Sequence, residues 1–132
     1  MLVCDDTESI RRLIRVNLEL EGFEVVEALE GGAALDILVE RAGTGTLPDV
    51  LVLDSQMSPR DGWWAIARIR SDPTLADLPV VMVTASLQHH QRSNAGAVLD
   101  AFVGKPFDPE RLVELVVGFA VHGRAFRPAG GP

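Results

Sequence analysis

The 132 residues are 47% apolar and 23% charged, with a net charge of −7. That balance is too hydrophobic for a disordered chain, holds no apolar run long enough to cross a bilayer, and as a whole repels nucleic-acid phosphate. Membrane insertion and direct nucleic-acid binding are therefore not expected, and the length suits one domain with one core and one site.

In chain order, residues 2–4 form a first short apolar run, closed by Asp5 and Asp6. Ile10, Leu13, Ile14 and Leu18 follow at helical spacing up to a stop at Gly22, with Thr7 or Ser9 placed to cap the helix. A second strand is read at residues 23–26. A second helix follows at about 32–42, with Leu35, Leu38 and Val39 inward and Gly43 as its stop. The continuous run at residues 50–53 suits a central strand buried on both faces. Trp63 and Trp64 open a third helix to about residue 70, one of them packed and the other exposed as a contact. A fourth strand at 80–83, a weaker helix at about 87–95 and a fifth strand at 101–103 complete the alternation. The fifth helix is well marked. Asp108 can cap it, Pro109 fits its first position, and Leu112, Leu115, Val116 and Phe119 recur at helical spacing. Residues 1–121 read as the domain, and 122–132 as a flexible Gly/Pro-rich tail or the start of a linker.

Strict alternation of strand and helix implies right-handed crossovers and a parallel sheet covered on both faces. The lone cysteine, Cys4, has no mate for an intramolecular disulfide and reads as a buried strand residue rather than a reactive thiol. It suits a reducing compartment. No basic-flanked apolar leader precedes Asp5, so a cytoplasmic location is expected.

Open α/β sheets bind ligands outside the carboxyl ends of their strands. Those ends carry Asp5 and Asp6 after the first strand, Asp54 after the third, Thr84 after the fourth and Lys105 after the fifth. Three carboxylates converging on one pocket repel unless a cation neutralises them, and hard oxygen ligands favour Mg²⁺. A carboxylate so screened can attack phosphorus, with Lys105 and Thr84 available to phosphoryl oxygens and Ala85 leaving room for the group. Taken singly, each aspartate also fits a helix cap or a solvated turn, and Asp5 and Asp6 would then serve the first helix alone.

The segments Val3-Cys4-Asp5-Asp6, Leu51-Val52-Leu53-Asp54, Met57 with Asp61-Gly62, Val83-Thr84-Ala85 and Lys105-Pro106-Phe107 occur in an order that resembles the receiver family of two-component response regulators, up to about Val121. The resemblance implies a flavodoxin-like fold, a five-stranded parallel sheet of order 2-1-3-4-5 flanked by five helices. It makes Asp54 the phosphoacceptor, with Thr84 and Lys105 assisting. Asp6 and Asp54 would bind Mg²⁺ directly, Asp5 mainly through water, and Gln56 by its backbone carbonyl. It also implies a cis Lys105-Pro106 peptide, a sensor histidine kinase or histidine phosphotransfer protein as donor, and Thr84 with Phe102 as switch residues acting on the surface of the fourth helix, fifth strand and fifth helix. The expected role is a switch with self-catalysed phosphotransfer, not a turnover enzyme.

Three departures from the family pattern stand out. Phe102 lacks the hydroxyl of the commoner tyrosine, Pro59 falls one place later than usual, and Gln56 and Ser86 fill positions that tune the lifetime of the acyl phosphate. The spacing to Asp61-Gly62 is kept, so a reshaped turn and an intact site are expected. One rival is a receiver-like protein-binding module that works without phosphorylation. Another is a haloacid-dehalogenase-like phosphatase, which requires a second aspartate where this chain has Gln56. His89 and His90 point to different faces of a helix and read as solvated surface. Val113, Val117 and Val121 add a second apolar stripe to the fifth helix, which fits either a homodimer on the switch face or burial beneath Phe126.

Overall fold

Strands of three to five residues cannot satisfy their backbone groups alone, and in this chain five of them pair side by side. The computed structural model describes residues 1–85 and 99–128. In chain order these form β1 (Leu2–Cys4), α1 (Glu8–Leu20), β2 (Val26–Ala28), α2 (Gly31–Thr44), β3 (Leu51–Asp54), α3 (Gly62–Ser71), β4 (Val80–Thr84), β5 (Ala101–Gly104) and α4 (Pro109–His122), then a 3-10 turn, Gly123–Ala125. The sheet has the expected order β2-β1-β3-β4-β5 and all its pairs are parallel. The last helix is the fifth of the sequence reading. The helix expected at 87–95, with His89, His90 and Ser86, lies outside the described residues.

Alternation along each strand feeds two cores. Leu51, Leu53 and Met82 face Leu38, Ile66 and Ile69 of α2 and α3. Val52, Val81 and Val83 face Ile14 and Leu18 of α1 and Leu115, Val116 and Phe119 of α4. Both faces of β3 are thus covered, and all four of its residues are buried.

The structure corrects several boundaries. The second strand starts three residues later than expected. Gly22, at φ 91°, closes α1 and lets Phe23 N–H donate to Leu18 O, so Phe23 and Val25 pack on the second core as connection. Leu13 and Val39 do not point inward, being 41% and 54% exposed. A helix against a sheet buries a narrow stripe, here Ile14 with Leu18 and Ala34 with Leu38, and adjacent positions turn away. Thr7 stands at the N-cap of α1 but makes no side-chain cap. The Asp5 carboxylate instead accepts from Thr7 N–H at 2.8 Å. α2 ends at Gly45 in the left-handed conformation, with Gly43 inside the last turn. Asp108 and Pro109 open α4 as expected, Asp108 accepting from Glu110 N–H. No described helix is long and apolar enough to cross a membrane.

Candidate functional site

Parallel register sets the ends of β1, β3, β4 and β5 along one edge, and the residues following them meet there. Asp5 leaves β1 buried, its N–H bound to Ala28 O and its own carbonyl accepting from Arg11 at 2.9 Å. Asp6, next along, is exposed. Asp54 ends β3 and Thr84 ends β4; Asp5, Asp54, Ser55 and Thr84 are the buried polar residues of the described chain, at 1, 3, 1 and 0% exposure. Lys105 follows β5, its N–H donating to Thr84 O, and the Lys105-Pro106 peptide is cis as expected.

One carboxylate oxygen from each of Asp5, Asp6 and Asp54 lies within 4.8 Å of the others. Lys105 Nζ stands 3.3 Å from Asp5 Oδ2 and 3.3 Å from Asp54 Oδ1. Four of the predicted site residues therefore converge. Burial pushes the Asp54 carboxyl above its ordinary value. The Gln56 N–H, donating at 3.2 Å, pulls against that rise; the charge of Asp5 adds to it and Lys105 opposes it. Of Gln56 the structure places the N–H on Asp54 and the residue on the surface. Phe102 lies half-buried on β5 with its ring 6.2 Å from that of Trp63. Contrary to the expectation of one packed and one exposed tryptophan, both are half-buried. Arg60 and Arg68 both lie over the Trp64 ring, their guanidinium carbons 5.0 and 4.3 Å from its centre.

The shifted proline leaves the site framed. The Ser58-Pro59 peptide is cis, Arg60 O accepts from Gly31 N–H at 2.8 Å, and Ser55 O accepts from Gly62 N–H at 3.2 Å. A side chain at Gly62 would drive into the Asp54 carbonyl, so this loop closes over the end of β3 only with glycine there. Asp61 caps α3 through Trp64 N–H, a role not foreseen. The sequence reading also missed Ser55, whose hydroxyl donates to Thr84 Oγ1 at 2.8 Å. A polar residue directly following an otherwise apolar central strand was the available signal.

The donor set fits a hard divalent cation, with three carboxylate oxygens close enough to repel and a single ammonium against them. Octahedral Mg²⁺ separates its oxygen ligands by about 3 to 4 Å, within small side-chain adjustments of this cluster.

Fold and cluster together define a doubly wound α/β protein with an acidic site at the carboxyl edge of its sheet. The chain belongs to the response regulator receiver domain family, whose model matches residues 1–117. It is 35% identical over 121 residues to the DNA-binding dual master transcriptional regulator RpaA of Synechocystis sp., covering 88% of this chain and 46% of that protein. It is 37% identical over 115 residues to the phosphate regulon transcriptional regulatory protein PhoB of Rhizobium meliloti, covering 86% and 48%. The chain thus spans about half the length of these curated relatives. Among solved structures, the phosphorylated cyanobacterial phytochrome response regulator RcpA superposes with a TM-score of 0.74 at 26% identity, covering 91% of each chain. Membership of this family sets aside the haloacid-dehalogenase alternative.

Proposed function

We propose that Asp54 accepts a phosphoryl group from the phosphohistidine of a sensor histidine kinase or a histidine phosphotransfer protein, and that the chain acts as a switch in two-component signalling. The observation that carries this reading is the position of Lys105 Nζ, 3.3 Å from both Asp5 and Asp54, beside carboxylate oxygens lying within 4.8 Å of one another. In the transfer, an Asp54 oxygen bonds to phosphorus as the phosphorus–nitrogen bond breaks, and the electron pair leaves on the imidazole. Asp6 and Asp54 directly, Asp5 mainly through water, and the backbone carbonyl of Gln56 are the groups to hold Mg²⁺. When bound, the ion supplies the charge neutralisation that lets two anions meet. Lys105 exchanges Asp54 for a phosphoryl oxygen, and Thr84 donates its hydroxyl to another.

Drawing Thr84 toward the phosphoryl group shifts β4 against β5, where Phe102 rests beside Trp63. The face built on β5 and α4 is the proposed output, with homodimerisation across it as one use. Residues 1–121 are the proposed receiver unit, and 122–132 the segment leading away from it. Intact mass after incubation with acetyl phosphate and Mg²⁺ tests the core of this reading. One added phosphoryl group is expected, lost in Asp54→Asn and in chelator. A modification that persists in Asp54→Asn overturns the assignment. An unmodified wild type favours the binding module that works without phosphorylation.

A further inference from the structure

Ser55 stands between acceptor and switch, and nothing in the proposed transfer uses its side chain. Its backbone is fixed on both sides, N–H to Val83 O at 3.1 Å and carbonyl from Gly62 N–H at 3.2 Å. The residue therefore cannot drift, and its hydroxyl is aimed across the β3–β4 boundary. There it donates to Thr84 Oγ1 at 2.8 Å, with both residues essentially inaccessible to solvent. A serine hydroxyl holds a single proton. Committed to Thr84 in a dry setting, it ties the Thr84 oxygen to the end of β3 while Asp54 is unmodified.

We infer that Ser55 is a positioning residue that latches Thr84 in the resting arrangement, so that capture of a phosphoryl group at Asp54 works against this bond. The inference rests on the phosphoacceptor reading above. To re-aim Thr84 toward a phosphoryl oxygen, the chain gives up a buried hydroxyl pair and strands the Ser55 proton where water cannot reach it. Serine at this position therefore biases the switch toward its resting state, and replacing its hydroxyl removes the bias.

The test is a titration of the full chain with beryllofluoride at saturating Mg²⁺, followed by amide chemical shifts, in wild type, Ser55→Ala, Thr84→Ala and the double variant. Ser55→Ala is expected to bind about fivefold more tightly than wild type, the equivalent of about 1 kcal/mol. In the Thr84→Ala background the same change is expected to do nothing, because the latch has lost its partner; a general loosening of the fold would act in both backgrounds. Ser55→Cys, which keeps the volume with a weaker donor, stands in if alanine disturbs folding, and is expected to tighten binding by a smaller factor. Unchanged or weaker binding in the Ser55 variants, or an equal gain without Thr84, overturns the latch while leaving the acceptor reading intact. A wild-type chain that binds no beryllofluoride with Mg²⁺ removes both.

Discussion

Replacing Lys105 with methionine, which keeps the apolar stem and deletes the charge, isolates the electrostatics of the site. Lys105 Nζ lies 3.3 Å from one oxygen each of Asp5 and Asp54, and the carboxylates are almost wholly buried. At an effective dielectric of about 20, each contact is worth about 5 kcal/mol of gross attraction. Against that, the ammonium gives up several kcal/mol on leaving water, partly recovered because it stays about one-fifth exposed, and its stem loses rotamer freedom. The removal also leaves Asp5 and Asp54 facing each other unscreened. We expect Lys105→Met to lower unfolding stability by about 2 kcal/mol in chelator at neutral pH, measured by urea denaturation. Saturating Mg²⁺ takes over the neutralisation, so the deficit narrows to less than about 1 kcal/mol, and by linkage the variant binds Mg²⁺ about fivefold more tightly. A variant as stable as wild type in chelator, or a deficit indifferent to Mg²⁺, refutes the claim that this lysine offsets the carboxylate cluster.

At the opposite edge of the sheet, Asp100 accepts from Arg70 Nη2 at 3.0 Å, Arg124 Nε at 2.8 Å and Val80 N–H at 2.8 Å while only 5% of its side chain is exposed. Asp100→Ala leaves Arg70 desolvated against Arg124 and is expected to cost about 3 kcal/mol, read by urea denaturation; a loss under about 1 kcal/mol counts against it. Glu27 is pushed up by burial, but the hydrogen bonds and charges of Arg15 and Arg11 outweigh this and hold its carboxyl below the ordinary 4.5. A carboxyl depressed in the folded state stabilises above its unfolded value and ceases to as pH falls through the folded one. Glu27→Gln should therefore be less stable than wild type at pH 7, with thermal midpoints converging as pH falls below 4.5. Burial, with Asp5 next in effect, pushes the Cys4 thiol up to about 12, and its Sγ lies 3.4 Å from Met57 Sδ. At pH 8 roughly one thiol in ten thousand is ionised. Dithionitrobenzoate should thus react only as the chain unfolds, and rapid labelling of native protein would contradict the assignment.

The sheet was legible because β1, β3, β4 and β5 are apolar on both faces, a pattern little else explains. β2 was not, because Phe23, Val25 and Val26 look equally strand-like; only the left-handed turn at Gly22 and the hydrogen bond from Val26 N–H to Met1 O decide which residue pairs. In the same way Leu13 and Ile14 are interchangeable by hydropathy, and the direction from which the sheet approaches selects Ile14. The convergence of Asp5, Asp6, Asp54 and Lys105 could be anticipated from strand ends alone, since parallel register carries every carboxyl end to one edge. Ser55 could not. A polar residue after the central strand marks the position, but its role depends on a side chain crossing from one strand to the next, and the partner in such a contact has no signature in a single chain.

The two edges of the sheet do opposite work, and the contrast bears on how a small domain can tolerate a buried cluster of like charges. At the carboxyl edge the chain buries Asp5 and Asp54 side by side with one ammonium between them, an arrangement a purely structural protein would replace with apolar packing. At the amino edge, Asp100 ties Arg70 of α3 and Arg124 of the 3-10 turn to the start of β4, while the Phe126 ring lies on Gly118, 5.0 Å from that of Phe119 and edge-on to it. That second network links α3, β4 and the end of α4 without touching the site. Changes in charge at Asp54 therefore meet a frame anchored from the far side. Under the proposed phosphotransfer the response runs through Thr84, bonded to Ser55, and Phe102, beside Trp63, and so toward β4 and β5.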